Sequence, residues 1–191
     1  MGRTELITAS TTRLLTLEQA KLHCRCQHDA ENDLFHGWIK AAEAFCQQHT
    51  QRALLTSTWR WIGPEFPTLD DEDAPIELGV SPIQSISSVT YFDTEGDEIE
   101  LDAEDYQLEA RIIAPRLYPG VDVSWPATQA GRIDAVTVEM VAGYTSLDLV
   151  PAQFTQAALL MIGEWYVNRE TTQIPEAAIH LLNQVLSERY V

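Results

Sequence analysis

Residues 135–166 of this 191-residue chain read AVTVEMVAGYTSLDLVPAQFTQAALLMIGEWY and contain two different hydrophobic patterns. The Val-rich run 135–141 predicts a β-strand. After Pro151, which suits the first position of a helix, apolar residues recur three and four positions apart and predict an amphipathic helix. That apolar side consists of Phe154, Ala157, Ala158, Met161, Ile162, Trp165 and Tyr166. One stretch therefore passes from strand to helix, and we expect an α+β fold.

Further helices are predicted on both sides of this stretch. Thr16 and Gln19 have the spacing of a capping box and predict a short helix that ends near Cys26. Asp29 is expected to cap a longer helix that ends near Thr50. The apolar side of this longer helix consists of Leu34, Phe35, Trp38, Ile39, Ala42, Phe45 and Cys46. A last helix is predicted from Pro175, with Ile179, Leu182, Val185 and Leu186 along one side.

The middle of the chain favours short strands. β-Branched and aromatic residues predict strands at 56–62, 76–78, 86–92, 98–101 and 106–108. Gly96 supplies the turn of a hairpin between two of them. A run of Pro and Gly residues indicates a long irregular loop from Pro115 to Gly131. The expected antiparallel sheet is small, with one solvated, acidic face.

The predicted architecture is a bundle of about four helices formed by both ends of the chain, with a β sub-domain inserted. Residues 1–53 form the N-terminal helical part, 54–146 the acidic β sub-domain, and 147–191 the C-terminal helical part.

The charge of the chain is strongly negative and unevenly distributed. Twenty-nine acidic residues face 12 basic ones, giving a formal net charge of −17. Residues 65–109 hold fifteen of the acidic residues and no Lys or Arg. Such a chain offers no basic surface for nucleic-acid backbones or anionic lipids. It also has no run of 18 apolar residues and no signal peptide, so we expect a soluble protein made in a cytoplasm.

No motif typical of an enzyme is present. The sequence lacks a Gly-rich phosphate loop, an H-E-x-x-H motif, a G-x-S-x-G motif and a dinucleotide fingerprint, so we predict no catalytic activity and no cofactor. The acidic run 70–73 lacks the spacing of a cation site. Two Cys–His pairs, Cys24 with His28 and Cys46 with His49, have helical spacings that would allow zinc binding. We favour the interpretation that the cysteines are reduced core thiols and that no metal is bound.

The order of short motifs along the chain resembles one known protein family. These motifs are LTLEQAK (15–21), HDAEND (28–33), TQRAL (50–54), VTYFD (89–93), DY (105–106), SWPAT (124–128), VAGY (141–144), VP (150–151) and EWYVNRE (164–170). In this order they resemble the head–tail connector proteins of long-tailed bacteriophages, also called adaptor or head-completion proteins, with their prophage and gene-transfer-agent relatives. The resemblance extends from about Leu15 to Leu186.

The resemblance implies a structural role in a virus particle. Family members form an oligomeric ring, usually of twelve subunits, beneath the portal protein. They join the DNA-filled head to a stopper protein and the tail, and they catalyse no reaction. The expected location is therefore the neck of the virion, after assembly in the bacterial host cytoplasm. Double-stranded DNA would pass through the ring without specific binding.

Two surfaces follow as hypotheses from the sequence together with this resemblance. An acidic wall would repel DNA, so we expect part of the acidic segment to face the channel or the outer surface of the junction. The residues assigned to it are Asp70, Asp71, Glu72, Asp73, Asp93, Glu95, Asp97 and Glu98. Contacts with the portal or with neighbouring subunits are assigned to the C-terminal helices. The residues assigned to these contacts are Trp165, Tyr166, Arg169, Ile174, Leu182, Leu186 and Tyr190.

Two other functions remain open at this point. An acidic DNA mimic would bind a basic DNA-binding partner through its carboxylates. A carbohydrate-binding β module would use exposed tryptophans, of which Trp59, Trp61 and Trp125 are the candidates.

Overall fold

The chain folds into two units, each with its own core. A computed structural model describes residues 2–69, 72–111, 113–170 and 173–187, with the backbone alone at positions 69, 72 and 187. The β unit takes in the chain up to Ala9 together with Thr56–Gly143, and the helical unit takes in Ser10–Leu55 and the chain from Tyr144 onward. The predicted α+β class is confirmed. No helix in the described part of the chain is long and apolar enough to cross a membrane.

The described residues of the helical unit contain four helices. They are α1 (Leu17–His23), α2 (Asn32–Thr50), α3 (Ala152–Val167) and α4 (Glu176–Ser187). A single 3₁₀ turn, Leu147–Leu149, precedes α3.

The predicted capping box is present, whereas the predicted cap of α2 is wrong. The Thr16 hydroxyl accepts the Gln19 N–H at 3.1 Å, and the Gln19 side chain accepts the Thr16 N–H at 2.8 Å. Asp29 does not cap α2, because its carboxylate accepts a hydrogen bond from Lys21 Nζ at 2.6 Å. Glu31 occupies the cap position and makes no capping bond with its side chain.

The core of the helical unit is formed where the apolar sides of the four helices meet. α3 packs against α1, α2 and α4. The largest fully buried side chains of this core are Phe35, Phe154, Met161, Ile162 and Leu182. Apolar burial of this kind stabilises by about 25 cal/mol per Å² removed from water, and this explains why short helices are stable here.

In the part of the β unit that the structure describes, ten strands form three antiparallel sheets. They are β1 (Arg3–Thr8), β2 (Ser57–Gly63), β3 (Thr68–Leu69), β4 (Glu72–Asp73), β5 (Ile76–Glu77), β6 (Ile83–Phe92), β7 (Glu98–Glu100), β8 (Tyr106–Glu109), β9 (Arg116–Pro119) and β10 (Val136–Ala142). The largest sheet has the order β1-β2-β10-β6-β7. A second sheet has the order β5-β9-β8, and β3 pairs with β4.

The central strand β10 decides which face of the large sheet is buried. Val136, Val138, Met140 and Ala142 alternate with half-exposed residues and are fully buried. On the opposite face, the Glu139 carboxylate pairs with Arg60 of β2 at 2.6 Å. The solvent-facing side of β2 and β10 therefore carries an ion pair, in which Arg60 neutralises Glu139, and not acidic residues alone.

The structure corrects one predicted domain boundary and one predicted loop. Residues 1–53 were assigned wholly to the helical part, but β1 pairs with β2, with Leu6 opposite Trp59, and belongs to the β unit. The segment predicted as an irregular loop contains β9, in which Leu117 is fully buried opposite Ile76. Strands of four to six residues satisfy their backbone groups through distant partners, so local patterns predict them poorly.

Two of the three candidate sugar-binding tryptophans belong to the interior of the β unit. Trp61 is 6% exposed and Trp125 is 9% exposed. The Trp125 ring stacks on Phe66 with centroids 4.7 Å apart, and its indole N–H donates to the Ala74 carbonyl. Neither ring offers a flat exposed platform for a sugar.

Candidate functional site

A row of exposed carboxylates lies along one margin of the large sheet. β7 is an edge strand that pairs with β6, with Glu98 opposite Phe92 and Glu100 opposite Thr90. The turn before β7 and the segment after it add further acidic residues. We call this set the acidic edge, and it consists of Glu95, Asp97, Glu98, Glu100, Asp102 and Glu104, all exposed.

The acidic edge is not neutralised within the described residues. None of its six carboxylates forms an ion pair with a Lys or Arg there. Burial, followed by the nearby Glu100 carboxylate, raises the pKa of the Tyr106 phenol. Charges of one sign at an edge repel a polyanion over about one Debye length, roughly 8 Å at physiological salt.

Asp93 lies beside this edge but stabilises the turn. Its Oδ1 atom accepts the backbone N–H groups of Glu95 and Gly96 at 2.9 Å and of Asp97 at 3.0 Å. Gly96 has a φ of +94°, a backbone conformation that residues other than glycine rarely adopt. The carboxylate of Asp93 thus fixes the hairpin that presents the other acidic residues.

The second predicted acidic group lies around β4. Asp73 is exposed, and its Oδ2 atom accepts the backbone N–H of Trp125 at 3.3 Å. Only the backbone of Glu72 is described, paired with Leu69 in β3. Asp70 and Asp71 lie outside the described residues.

Two of the predicted partner contacts are instead part of the core of the helical unit. Trp165 is 9% exposed, and Leu182 is fully buried. The prediction that they are left for neighbouring proteins is wrong for this conformation, because α3 and α4 pack against each other and bury both apolar sides.

Other predicted contact residues are half-buried or exposed. Tyr166 packs beside Phe35 and Trp38, with ring centroids 5.6 and 6.2 Å apart. Arg169 is exposed, pairs with Glu31 at 2.5 Å, and lies 5.7 Å from the centre of the Tyr166 ring.

Ile174 and Leu186 are also partly accessible. Both are half-buried, and Ile174 packs against the core of the helical unit. Tyr190 lies outside the described residues.

The fold resembles chains from gene transfer agent (GTA) particles over almost its whole length. A chain in the neck of the empty GTA particle, computed with C6 symmetry, has a TM-score of 0.78 and 20% sequence identity. The match covers 95% of this chain and 94% of that chain.

Two further GTA structures give the same result. A chain of the native GTA virion has a TM-score of 0.71 at 20% identity, with 95% of this chain and 93% of that chain covered. A chain in the neck of the native particle, computed with C12 symmetry, has a TM-score of 0.65 at 20% identity, with 94% of each chain covered. No protein-family model matches the sequence, and no curated protein matches it significantly. The shared property is the fold.

Of the zinc ligands considered from the sequence, Cys46 and His49 make other contacts. Cys46 is fully buried, and burial raises the pKa of its thiol to about 12. His49 stacks on Phe45 and shares a hydrogen bond of 3.0 Å with Asn183. Cys46 is thus a core thiol, as predicted.

Sequence analysis missed one group of polar residues. Cys26 and His28 lie together with Glu31, a residue it had not assigned to any site. The spacing C-x-H-x-x-E was the available signal, but spacing alone does not predict that the loop between α1 and α2 brings the three donors together.

Proposed function

We propose that this chain is a structural protein of a virion neck, acting as a head–tail connector. Copies of the chain form a ring beneath the portal and join the DNA-filled head to the stopper and the tail. The protein performs no catalysis in this role.

The observation that carries the proposal is the likeness of the fold to GTA neck chains. The TM-score is 0.78 with at least 94% coverage of both chains, so the match extends over residues of both units and is not limited to a single common motif. The C6 and C12 symmetries of the two neck structures support a ring, with twelve copies as the expected number.

The acidic edge supports the passage of DNA through such a ring. A ring repeats the six carboxylates of each chain around its axis, and like charges repel the phosphate backbone. We assign the acidic edge to the channel wall or to the surface that surrounds it. DNA then passes without binding, as a conduit requires.

Contacts with the portal and with neighbouring subunits are assigned to the accessible residues at the end of α3 and along α4. Of the residues predicted from sequence, Tyr166, Arg169, Ile174 and Leu186 remain at least partly accessible. Aromatic and Arg side chains in such positions are typical of interface anchors.

The location of the protein in particles tests the proposal directly. Antibody–gold labelling of purified particles is expected to place the label at the neck, between head and tail. A strain that lacks the gene should accumulate unjoined heads and tails, and the wild-type gene should restore joining. Particles that never contain the protein would contradict the proposal and favour an acidic mimic that binds a basic partner.

Charge variants test the role of the acidic edge. The edge variant Glu95→Gln, Glu98→Gln and Glu100→Gln is expected to be incorporated normally but to slow DNA ejection several-fold, because phosphates would be held against a less negative wall. The matched control changes three exposed acidic residues elsewhere: Asp122→Asn, Asp148→Asn and Glu170→Gln. Both variants lose three charges per chain, and the measurement is the rate of DNA release from purified particles. Equal rates in the two variants would exclude a channel role for the acidic edge.

A further inference from the structure

Three metal-binding side chains meet in the connection between α1 and α2. Cys26 is buried, Glu31 is half-buried and His28 is exposed, and one donor atom from each lies within 4.8 Å of the other two. All three belong to the helical unit. The group shares no residue with the acidic edge, and its zinc binding can be tested whether or not the chain acts in a neck. Arg169, assigned above to neck contacts, pairs with Glu31 of this group.

The distances within this group approach those of a zinc site. The Cys26 Sγ and His28 Nε2 atoms are 3.8 Å apart, and His28 Nε2 is 3.8 Å from Glu31 Oε2. In a tetrahedral site with zinc bonds of about 2.0–2.3 Å, the neighbouring donor atoms of such a set are roughly 3.3–3.6 Å apart. The third pair, Cys26 with Glu31, lies within 4.8 Å. Shifts of about 1 Å or less would therefore bring the three donors to bonding distance.

One oxygen of the Glu31 carboxylate has no hydrogen-bond partner at the place where the metal would lie. Glu31 Oε1 accepts from Arg169 at 2.5 Å, whereas Glu31 Oε2 is buried and has no hydrogen-bond partner. A buried anionic oxygen without a partner is costly, and a cation between it and the His28 ring would remove that cost. Arg169 orients the carboxylate and leaves the second oxygen available.

The backbone holds the donors in place. Arg25 has a φ of 56°, in the left-handed region, which turns the chain after α1. The Cys26 N–H then donates to the Lys21 carbonyl at 2.9 Å, so Cys26 is fixed against the end of α1. Glu31 directly precedes α2, which fixes the other side of the group.

We propose that Cys26, His28 and Glu31 bind one Zn²⁺ ion. A thiolate, a neutral imidazole and a carboxylate are the donor types that zinc prefers, and their two negative charges balance those of the ion. Binding transfers the Cys26 thiol proton to solvent, and water completes the fourth position. The ion fastens the loop between α1 and α2 to the N-terminus of α2.

Zinc titration of the full chain tests the site. Chelator-treated, reduced protein is expected to bind one equivalent of Zn²⁺ in competition with a chromophoric chelator. Cys26→Ser and His28→Ala should each weaken the affinity at least tenfold. The matched controls are Cys24→Ser, two residues away, and His36→Ala, an exposed histidine on α2. Both controls should bind as the wild type does.

Cobalt provides a second measurement that does not depend on affinity. Co²⁺ bound to the wild type is expected to show thiolate-to-metal charge-transfer absorption, which Cys26→Ser should abolish and Cys24→Ser should retain. Circular dichroism of each metal-free variant shows whether it is folded. Absence of saturable zinc binding to the folded wild type would overturn the proposal. Equal zinc affinity in Cys26→Ser, His28→Ala and the two controls would also overturn it.

Discussion

Glu43 and Arg52 are buried charged side chains in the helical unit, and each is held by backbone groups. Glu43 accepts the Leu14 N–H and pairs with Arg13 at 3.1 Å. Arg52 is 3% exposed and donates to the Val185 carbonyl at 3.0 Å, near the C-terminus of α4. A cation at that end of a helix is favourable because the last carbonyls carry partial negative charge. Glu43 thus connects the N-terminal segment to α2, and Arg52 connects the chain after α2 to α4.

Glu43→Gln is expected to change how the stability of the protein depends on pH. Burial raises the pKa of the Glu43 carboxyl above its ordinary value of 4.5, although the Leu14 N–H and Arg13 act in the opposite direction. The folded state therefore keeps this proton at a pH where the unfolded state has lost it, and stability falls as pH rises from about 4.5 through the raised pKa.

The measurement is the free energy of unfolding in urea at several pH values. The wild-type value minus that of Glu43→Gln should decrease across this window and then remain constant. Glu18→Gln, at an exposed position of α1, controls for the loss of one carboxylate. A wild-type minus Glu43→Gln difference that rises with pH would contradict the prediction.

At the scale of elements, the helices were well predicted and the strands only partly. The apolar spacing that predicted α2, α3 and α4 corresponds to the buried sides of these helices, except for Leu34 of α2, which is 40% exposed. The hairpin of β6 and β7 was predicted from its turn, because Asp93 and Gly96 determine that turn locally. β1 and β9 were missed, since pairing with distant strands decides their conformation.

Asp93→Ala tests how far this turn stabilises the hairpin. The change removes the acceptor of three backbone N–H groups and is expected to lower the free energy of unfolding by about 1–3 kcal/mol. Glu95→Ala removes the same charge from an exposed residue of the same turn and should change it by less than about 0.5 kcal/mol. Urea unfolding followed by tryptophan fluorescence measures both values. Equal effects in the two variants would show that the loss of a negative charge, and not the loss of the turn hydrogen bonds, changes the stability.

At the scale of the whole molecule, the chain enters and leaves the β unit on neighbouring strands. Ser57 of β2 is the register partner of Ala142 of β10, so the two Cα atoms are about 5 Å apart. The helical core is formed by residues on both sides of this insertion. The geometry of the insertion therefore allows the helical unit to fold without residues 56–143.

Replacing residues 56–143 with a short Gly/Ser linker, in a chain that starts at Ser10, is expected to leave a folded helical unit. Far-ultraviolet circular dichroism should show a helical spectrum and a cooperative thermal transition. The same excision combined with Phe154→Ala should lower the transition temperature markedly, because Phe154 is fully buried in the helical core. A linker variant that melts without cooperativity would mean that the helical unit needs the β unit.

The sequence by itself determined the fold class, the apolar sides of the helices and the acidic character of residues 65–109, because each depends on local pattern or composition. Tertiary structure alone decided that Trp165 and Leu182 are buried within the helical unit, since spacing predicts an apolar side but not what covers it. It also decided that Glu31 lies beside Cys26 and His28. The Oε1 atom of the Glu31 carboxylate pairs with Arg169, which follows α3 in the sequence. The Glu31–Arg169 pair joins residues far apart in the sequence, and packing of the whole unit fixes it.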